Sequence, residues 1–417
     1  ARAAGQDPND SSRTATRTIL APALGCAATT LFGFMALTAS PVPAIRRFGL
    51  LAAAGIAFTF LLSFTLLPVW LRLFARSPSL VRRAVDQGRW QHYATSLVRK
   101  LEAHANVIAC ATAIAALALV WAWSRLEVDT DPMRILPAHH PFRVATEEIG
   151  KRLGGTDTFD LVLEPPAPAG GMFGLVALAA RLQKLDGIAG PAGVPRLAKD
   201  GTALIPLLLE PAGTTARERT FARAEDQARE VGWRSAQACG SSVSTARDSG
   251  AIARGEIYGI LASLLALIPC IWIGLRSMRL TLLGLAANLL PCFLLHGGLA
   301  LAGRPLSVGS AMIGSVILGI VVDDAIYFLH AYRSHIDHST PAQAVAFSLR
   351  SSGRAITVTS MVLALGFLSG ALGELSTTRE FAYLASATIL AAWAANLLLL
   401  PAFLLARLPV RARRGAA

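Results

Sequence analysis

The stretch that decides the fold runs from Ser307 to Arg333, SVGSAMIGSVILGIVVDDAIYFLHAYR. It is long enough to cross a bilayer, since a membrane helix needs about 20 mostly apolar residues. Near its centre stand two adjacent carboxylates, Asp323 and Asp324. One acid at mid-membrane costs roughly 2.5–3.5 kcal/mol on insertion scales, so two in a row must be protonated or partnered. The apolar run continues past them through Ala325, Ile326, Tyr327, Phe328 and Leu329, which argues against reading the acids as the start of a loop. Small residues crowd the first half (Gly309, Ser310, Gly314, Ser315, Gly319) and permit close backbone approach to neighbouring helices. The segment reads as a helix inside a bundle, its acids facing protein or water. A site that binds and releases protons is the natural use of such acids. By helical spacing Asp323, Tyr327 and His330 share one face, and Asp324 lies about 100° away. Tyr327 is placed to donate a hydrogen bond to Asp323. His330 could pass protons towards the cytoplasm, although as a lone pattern it reads more readily as an interfacial residue.

Composition supports a membrane protein with something soluble attached: 53% of the 417 residues are hydrophobic and only 16% are charged. The net charge of +13 first suggests nucleic acid. Its distribution argues otherwise, because residues 125–254 hold 16 basic and 16 acidic side chains and are neutral. The excess lies in short segments beside apolar runs, where it orients a membrane protein, so no nucleic-acid partner is expected. Of five cysteines only Cys239 falls in the hydrophilic stretch, and no CxxC pair occurs. Neither a disulfide framework nor a metal site is supported.

Outward from the acidic helix, eight spans are expected. They are Thr18–Ala39, Phe48–Phe74, Ala105–Ser124, Glu256–Leu275, Leu280–Ala302, Ser307–Arg333, Ile356–Gly373 and Phe381–Arg407. Residues 1–17 read as a polar cytoplasmic segment, 18–74 as two spans, and 75–104 as a basic cytoplasmic linker with a helix lying in the interface. A third span occupies 105–124, a five-helix bundle 255–409 and a basic tail 410–417. Between them, 125–254 carries strand-like runs (Leu126–Asp129, Phe159–Leu163, Ala203–Leu209) alternating with helical patterns (Phe142–Leu153, Phe173–Leu185, Thr215–Val231). That alternation predicts an α/β domain of split-βαβ type. Alternate threading leaves 19 Lys and Arg outside this domain on the side of both termini and four on the other (Arg46, Arg47, Arg304, Arg379). The first side is then cytoplasmic and 125–254 extracytoplasmic.

An internal repeat is visible at a constant offset of 333. Gly33-Phe34 matches Gly366-Phe367, Arg46 matches Arg379, Phe48 matches Phe381, and Leu66-Leu67-Pro68 matches Leu399-Leu400-Pro401. Parallel repeats of this kind build transporters from two similar halves. A soluble domain and three spans precede the second copy and nothing precedes the first. The chain is therefore expected to begin midway through its first half. On that expectation Asp323 and Asp324 lack a first-half partner.

These residues resemble the resistance–nodulation–division (RND) superfamily, in its MMPL-like branch of exporters. GIVVDDAIYFLHAYR is similar to the branch's signature of Gly, small apolar residues, an acid pair and an aromatic or His-containing turn. The run EVDTDPMRILPAHHPF…IGKRLGGTDTFDLVLE resembles the start of its second extracytoplasmic domain, and the Gly-Phe pairs match its fifth and eleventh spans. The resemblance covers about Thr18 to Pro409. It implies a bacterial inner-membrane protein of twelve spans in two halves, of which this chain holds numbers five to twelve and a porter-like domain. The missing partner would be four helices and one extracytoplasmic domain. The drug-efflux branch carries a Lys in its tenth span, where this chain has the acid pair.

The resemblance implies a secondary active transporter, not an enzyme, that exports hydrophobic compounds or lipids at the expense of the proton gradient. Protons are the coupling ion and no other cofactor is implied. Asp323 and Asp324 are the expected carriers, with Tyr327 and His330 beside them. Thr357, Thr359 and Ser360 are candidates for a polar path, although such hydroxyls commonly bond a helix carbonyl instead. Asn288 and Asn396 read as helix–helix contacts. Membrane lipids and a hydrophobic substrate are the expected partners, together with further copies of the chain in a homo-oligomer; lipid and small drug stay open as substrates. Two rivals share the bundle: a protein-translocation accessory of the SecD/SecF type, and a non-transporting sensor of the sterol-sensing type. Eight spans count against the first and the acid pair against the second.

Overall fold

The structure, a computed structural model, describes residues 8–40, 43–74, 88–126, 136–165, 171–311 and 313–406. Helix α1 (Pro8–Ala36) is followed by a 3₁₀ turn at Leu37–Ala39 and by α2 (Pro43–Phe74). The first turns of α1 take in the polar segment before Thr18, because Pro8 at the first position and Asp10 just after it suit a helix start. The long α3 (Gly88–Trp123) comes next. The α/β region then runs α4 (Pro141–Leu153), β1 (Asp157–Glu164), α5 (Gly171–Leu182), β2 (Ile188–Pro191), β3 (Arg196–Leu197), β4 (Ala203–Leu209), α6 (Thr214–Glu230) and β5 (Ser235–Cys239). The remaining helices are α7 (Ser241–Leu275), α8 (Met278–Leu301), α9 (Val308–Ala311), α10 (Ile313–Ile336), α11 (Pro341–Ser351), α12 (Gly353–Leu368) and α13 (Ser376–Ala394). A π turn at Ala395–Leu399 leads from α13 into α14 (Leu400–Leu405). The strand-like run Leu126–Asp129 falls mostly outside the described residues, as do the first part of the linker (75–87) and the tail (410–417).

Six described helices are long and apolar enough to cross a membrane: Ile45–Leu66, Trp90–Trp123, Gly255–Leu275, Met278–Leu301, Gly353–Leu372 and Ser376–Leu405. The other two expected spans fall mostly on α1 and on α10, and are not among those six. Outward-facing Leu51, Ile114, Leu117 and Leu265 are more than two-thirds exposed or nearly so, as befits side chains meeting lipid tails. Residues 88–104 do not form a separate interface helix. They are continuous with the span in one 36-residue helix of about 54 Å. No Gly or Pro separates Trp90 from Trp123, and Leu97, Lys100, Leu101, Glu102 and Ala103 are good helix formers. Tertiary contact holds this first half of the helix in place: Ala94, Val98 and Leu101 are buried, and the Trp90 indole donates to the Leu349 carbonyl at 2.8 Å.

The sheet has the order β2-β4-β1-β5 with every neighbouring pair antiparallel, and β3 pairs with β4. Two helix-connected strand pairs thus interleave, each helix crossing over a strand from the other half. Burial alternates along β4, so Ala203, Ile205, Leu207 and Leu209 point into the core. They meet Leu175, Leu178 and Leu182 of α5, Phe221, Ala224 and Ala228 of α6, and Val243 and Ala246 from the start of α7. Helices cover that one face. The Phe159 ring packs on Phe221 with centroids 4.9 Å apart, and it is almost fully buried. Phe159→Ala should destabilise the domain by about 3–5 kcal/mol. In the full chain this would appear as earlier tryptic cleavage at the domain's Arg and Lys on heating, without a change at the bundle's own sites.

The repeat is geometric as well as sequential. The 3₁₀ turn after α1 recurs at Ser369–Leu372 after α12, and the starts of α2 and α13 are separated by the same offset of 333. Phe34 and Phe48 pack edge to face at 6.1 Å and 64°, and their counterparts Phe367 and Phe381 at 5.9 Å and 60°. The same pair of rings therefore bridges consecutive helices with nearly the same ring geometry in both copies.

Candidate functional site

The acidic helix α10 lies in the middle of the bundle, against α1, α7, α8, α11 and α13. Val316, Ile317, Leu318, Val321, Val322, Ala325 and Phe328 are buried around its circumference. A helix apolar on every side is a buried helix. Its contact with α1 is made backbone to backbone. A Cβ on Gly33 would stand 2.5 Å from the Cα of Gly319, and one on Gly319 would stand 2.9 Å from the Cα of Gly33. Two glycines facing one another let the axes approach as closely as helices can.

One turn further on, this approach brings α1 hydroxyls onto the first acid. Thr29 Oγ1 donates to Asp323 Oδ1 at 2.6 Å and Thr30 Oγ1 to Asp323 Oδ2 at 2.8 Å. The expectation that the acids have no first-half partner is therefore overturned for Asp323. Neighbouring positions on a helix point about 100° apart, so Asp324 turns to a different helix. It accepts from Ser360 Oγ of α12 at 3.0 Å, and Thr359 stands beside it as well. The acid pair thus bridges a helix of the first repeat and a helix of the second.

Both threonines also face carbonyls of their own helix: Thr29 Oγ1 lies 2.8 Å from Cys26 O and 3.0 Å from Gly25 O, and Thr30 Oγ1 lies 3.0 Å from Cys26 O. A hydroxyl has one proton to give and two lone pairs to receive. With Asp323 ionised, both hydroxyls donate to it. With Asp323 protonated, the carboxyl donates to one threonine, whose proton turns to the Cys26 carbonyl. Every polar atom is satisfied in either state, and no side chain needs to move.

The other expected site residues fall out unevenly. Tyr327 makes no hydrogen bond to Asp323: the hydroxyls on that acid come from Thr29 and Thr30, and the Cys26 thiol is directed at the Asp323 backbone carbonyl at 3.8 Å. His330 is exposed two turns beyond the acids. Thr359 donates to the Ala355 and Ile356 carbonyls of its own helix at 3.1 and 3.0 Å. Thr357 is elsewhere: it bonds the Gly353 carbonyl at 2.8 Å and accepts from the Trp393 indole at 3.1 Å, beside an apolar cavity lined by Trp90, Tyr93 and Leu97. Asn288 and Asn396 do join helices, with Asn396 Nδ2 donating to Asn288 Oδ1 at 3.3 Å inside the π turn that interrupts the last span. Thr29 and Thr30 were missed by sequence reasoning. Their signal was faint, since ATT followed by a Gly-Phe pair in an apolar run reads as ordinary small-residue packing.

Two family models match the chain on either side of the α/β region. That of the MMPL family matches residues 1–104, and that of the Patched SSD matches residues 258–406. No curated protein matches it. Both matches fall on helices that hold the acid site, α1 in the first and α10 and α12 in the second. Both describe membrane protein families of the RND type, transporters rather than enzymes. The chain is accordingly a multi-pass membrane protein, similar over residues 1–104 to the MMPL family and over residues 258–406 to the Patched SSD.

Proposed function

We propose that the protein is a proton-coupled exporter of hydrophobic compounds or lipids. The observation that carries this reading is the position of Asp323, half-buried between α1 and α10 with hydroxyl partners that serve its charged and its neutral form equally. A structural acid needs one state to be satisfied; a carrier needs both. The acid pair joins the two repeats, so a change of charge there alters the attraction between them. Rocking of one half against the other is how transporters made of parallel repeats expose a site alternately. Helix α7 then carries the motion outward, because it is continuous from the membrane region into the α/β core.

In this reading eight helices span a bacterial inner membrane, the termini are cytoplasmic, and residues 125–254 form an extracytoplasmic porter-like domain of split-βαβ type. The sheet order supports that type, since a βαβ unit is split by a strand inserted between its two strands. The match to the Patched SSD favours one second reading, a sterol-sensing protein that does not transport. One experiment separates them. In sealed vesicles from membranes carrying the protein, an imposed proton gradient should drive movement of a fluorescent lipid or hydrophobic dye, and a protonophore should stop it. Movement that ignores the protonophore, or none under any gradient, would overturn the exporter reading.

A further inference from the structure

A second ionisable pair is buried in the bundle, well apart from the acids of α10. Glu256 lies where α7 leaves the α/β domain and enters the span Gly255–Leu275, and His296 lies near the last turn of α8. Their side chains are almost wholly buried, 2% and 0% exposed, and Glu256 Oε1 stands 2.5 Å from His296 Nε2. The other ring nitrogen, Nδ1, faces the Cys292 carbonyl at 2.8 Å. Trp123 of α3 stacks on the imidazole with centroids 4.8 Å apart. Gly314 of α10 closes the pocket: a Cβ there would lie 3.0 Å from Ile260 Cδ1, 3.1 Å from His296 Cε1 and 3.3 Å from Glu256 Oε1. Nine residues separate Gly314 from Asp323 on α10, roughly 13 Å along the helix.

The geometry points to a second proton-binding site in Glu256 and His296, holding one proton between Oε1 and Nε2 and serving the domain end of the bundle. A carbonyl oxygen only accepts, so Nδ1 must carry a hydrogen. Two bare acceptors cannot face each other at 2.5 Å, so a proton lies between Nε2 and the carboxylate. The pair is then neutral as a unit, in either form: protonated acid with imidazole, or carboxylate with imidazolium. When that proton leaves to water on the domain side, a carboxylate faces an imidazole lone pair and the two must separate. Separation moves α7 relative to α8 and α10, and α7 is the rod that reaches the core of the α/β domain through Val243 and Ala246. Proton release at this point would therefore be transmitted straight to the domain. Of the groups packed round the pair, Ile260, Gly314 and Trp123 do not ionise. Cys292 is the titratable neighbour, its thiol directed at the Gly314 carbonyl at 3.8 Å. Glu380, on α13, is held by Ser307 Oγ at 2.9 Å instead.

The inference rests on the proton-coupled reading for its use, but its test does not. The full chain, labelled with ¹⁵N-histidine in lipid nanodiscs, is titrated through the range of about pH 5 to 8 in which imidazoles change charge. The His296 signal is the one lost in H296N, or the one shifted in E256Q should H296N fail to insert. His296 should pass between two states in the wild type and in the double variant D323N/D324N, and should lose that transition in E256Q. In the vesicle assay E256Q should slow gradient-driven movement by at least about tenfold and change its pH profile. A His296 signal constant across the range in the wild type would show a fixed structural pair and overturn the proposal. So would E256Q with the wild-type rate and pH profile. If instead D323N/D324N still moves the dye while His296 titrates, the carrier role of α10 fails and this site stands.

Discussion

Asp323→Asn should abolish gradient-driven movement of a hydrophobic reporter while leaving the protein inserted at its normal level. Asparagine keeps the size of the side chain and can still bond both threonines, its carbonyl accepting from one and its amide donating to the other, as the protonated acid would. The packing of α1 on α10 is thus retained, and only the ability to lose a proton is removed. The variant separates a structural from a carrier role for that reason. Asp324→Asn should also impair movement, acting through Ser360 and α12 instead of α1. Export rate and membrane level measured together decide the matter: normal export in both single variants would remove the acids from the mechanism. The threonines provide a graded control. Thr29→Val with Thr30→Val leaves the acid in place but withdraws the donors that satisfy its charged form. Losing a hydrogen bond to a charged group costs about 1.5–3 kcal/mol, so the pH at which transport is half-maximal should move while the maximal level of protein is kept.

Gly319→Val should have an effect as large by a different route. Its added Cβ would lie 2.9 Å from the Gly33 Cα, and what it meets is backbone, which cannot turn aside as a flexible side chain can. Overpacking of this kind costs about 1–3 kcal/mol, and two more methyl groups in a helix seam leave separation of the helices as the only relief. Moving α1 away takes Thr29 and Thr30 off Asp323, one turn along the same seam. Gly319→Val should therefore lose transport together with thermal stability, whereas Asp323→Asn should lose transport alone. Gly366 is the repeat counterpart of Gly33 and has open space around its Cβ position, so Gly366→Ala should be close to neutral in both measurements. A harmless Gly319→Val would show that the seam is looser than the glycine contact implies.

Much of this protein is readable in one dimension because hydropathy is a local property. The bilayer demands about 20 apolar residues per span whatever the neighbours are, so the membrane class and the place of Asp323 and Asp324 inside an apolar run follow from residues 307–333 alone. The repeat is legible for a similar reason: Phe34 with Phe48 and Phe367 with Phe381 bridge consecutive helices, and a pair so placed keeps its spacing in the chain. The strands Asp157–Glu164 and Ala203–Leu209 were near their expected positions because each is one short apolar run between turn residues.

What only the tertiary structure decided is who faces whom across a bundle. Thr29 meets Asp323 from 294 residues away. A threonine in an apolar helix ordinarily satisfies itself on its own carbonyls, so nothing local marks Thr29 and Thr30 as partners of an acid until Gly33 and Gly319 bring the axes together. Glu256 and His296 were silent for a related reason. Each sits singly near the end of its apolar span, where an isolated charge reads as an interfacial residue, and only the crossing of α7 and α8 over Gly314 buries the two against each other. The junction at Ala105 shows the converse. A change from basic to apolar composition looks like a boundary in sequence, yet the backbone of α3 runs through it, because hydrogen bonding along a helix depends on backbone continuity and not on what the side chains face.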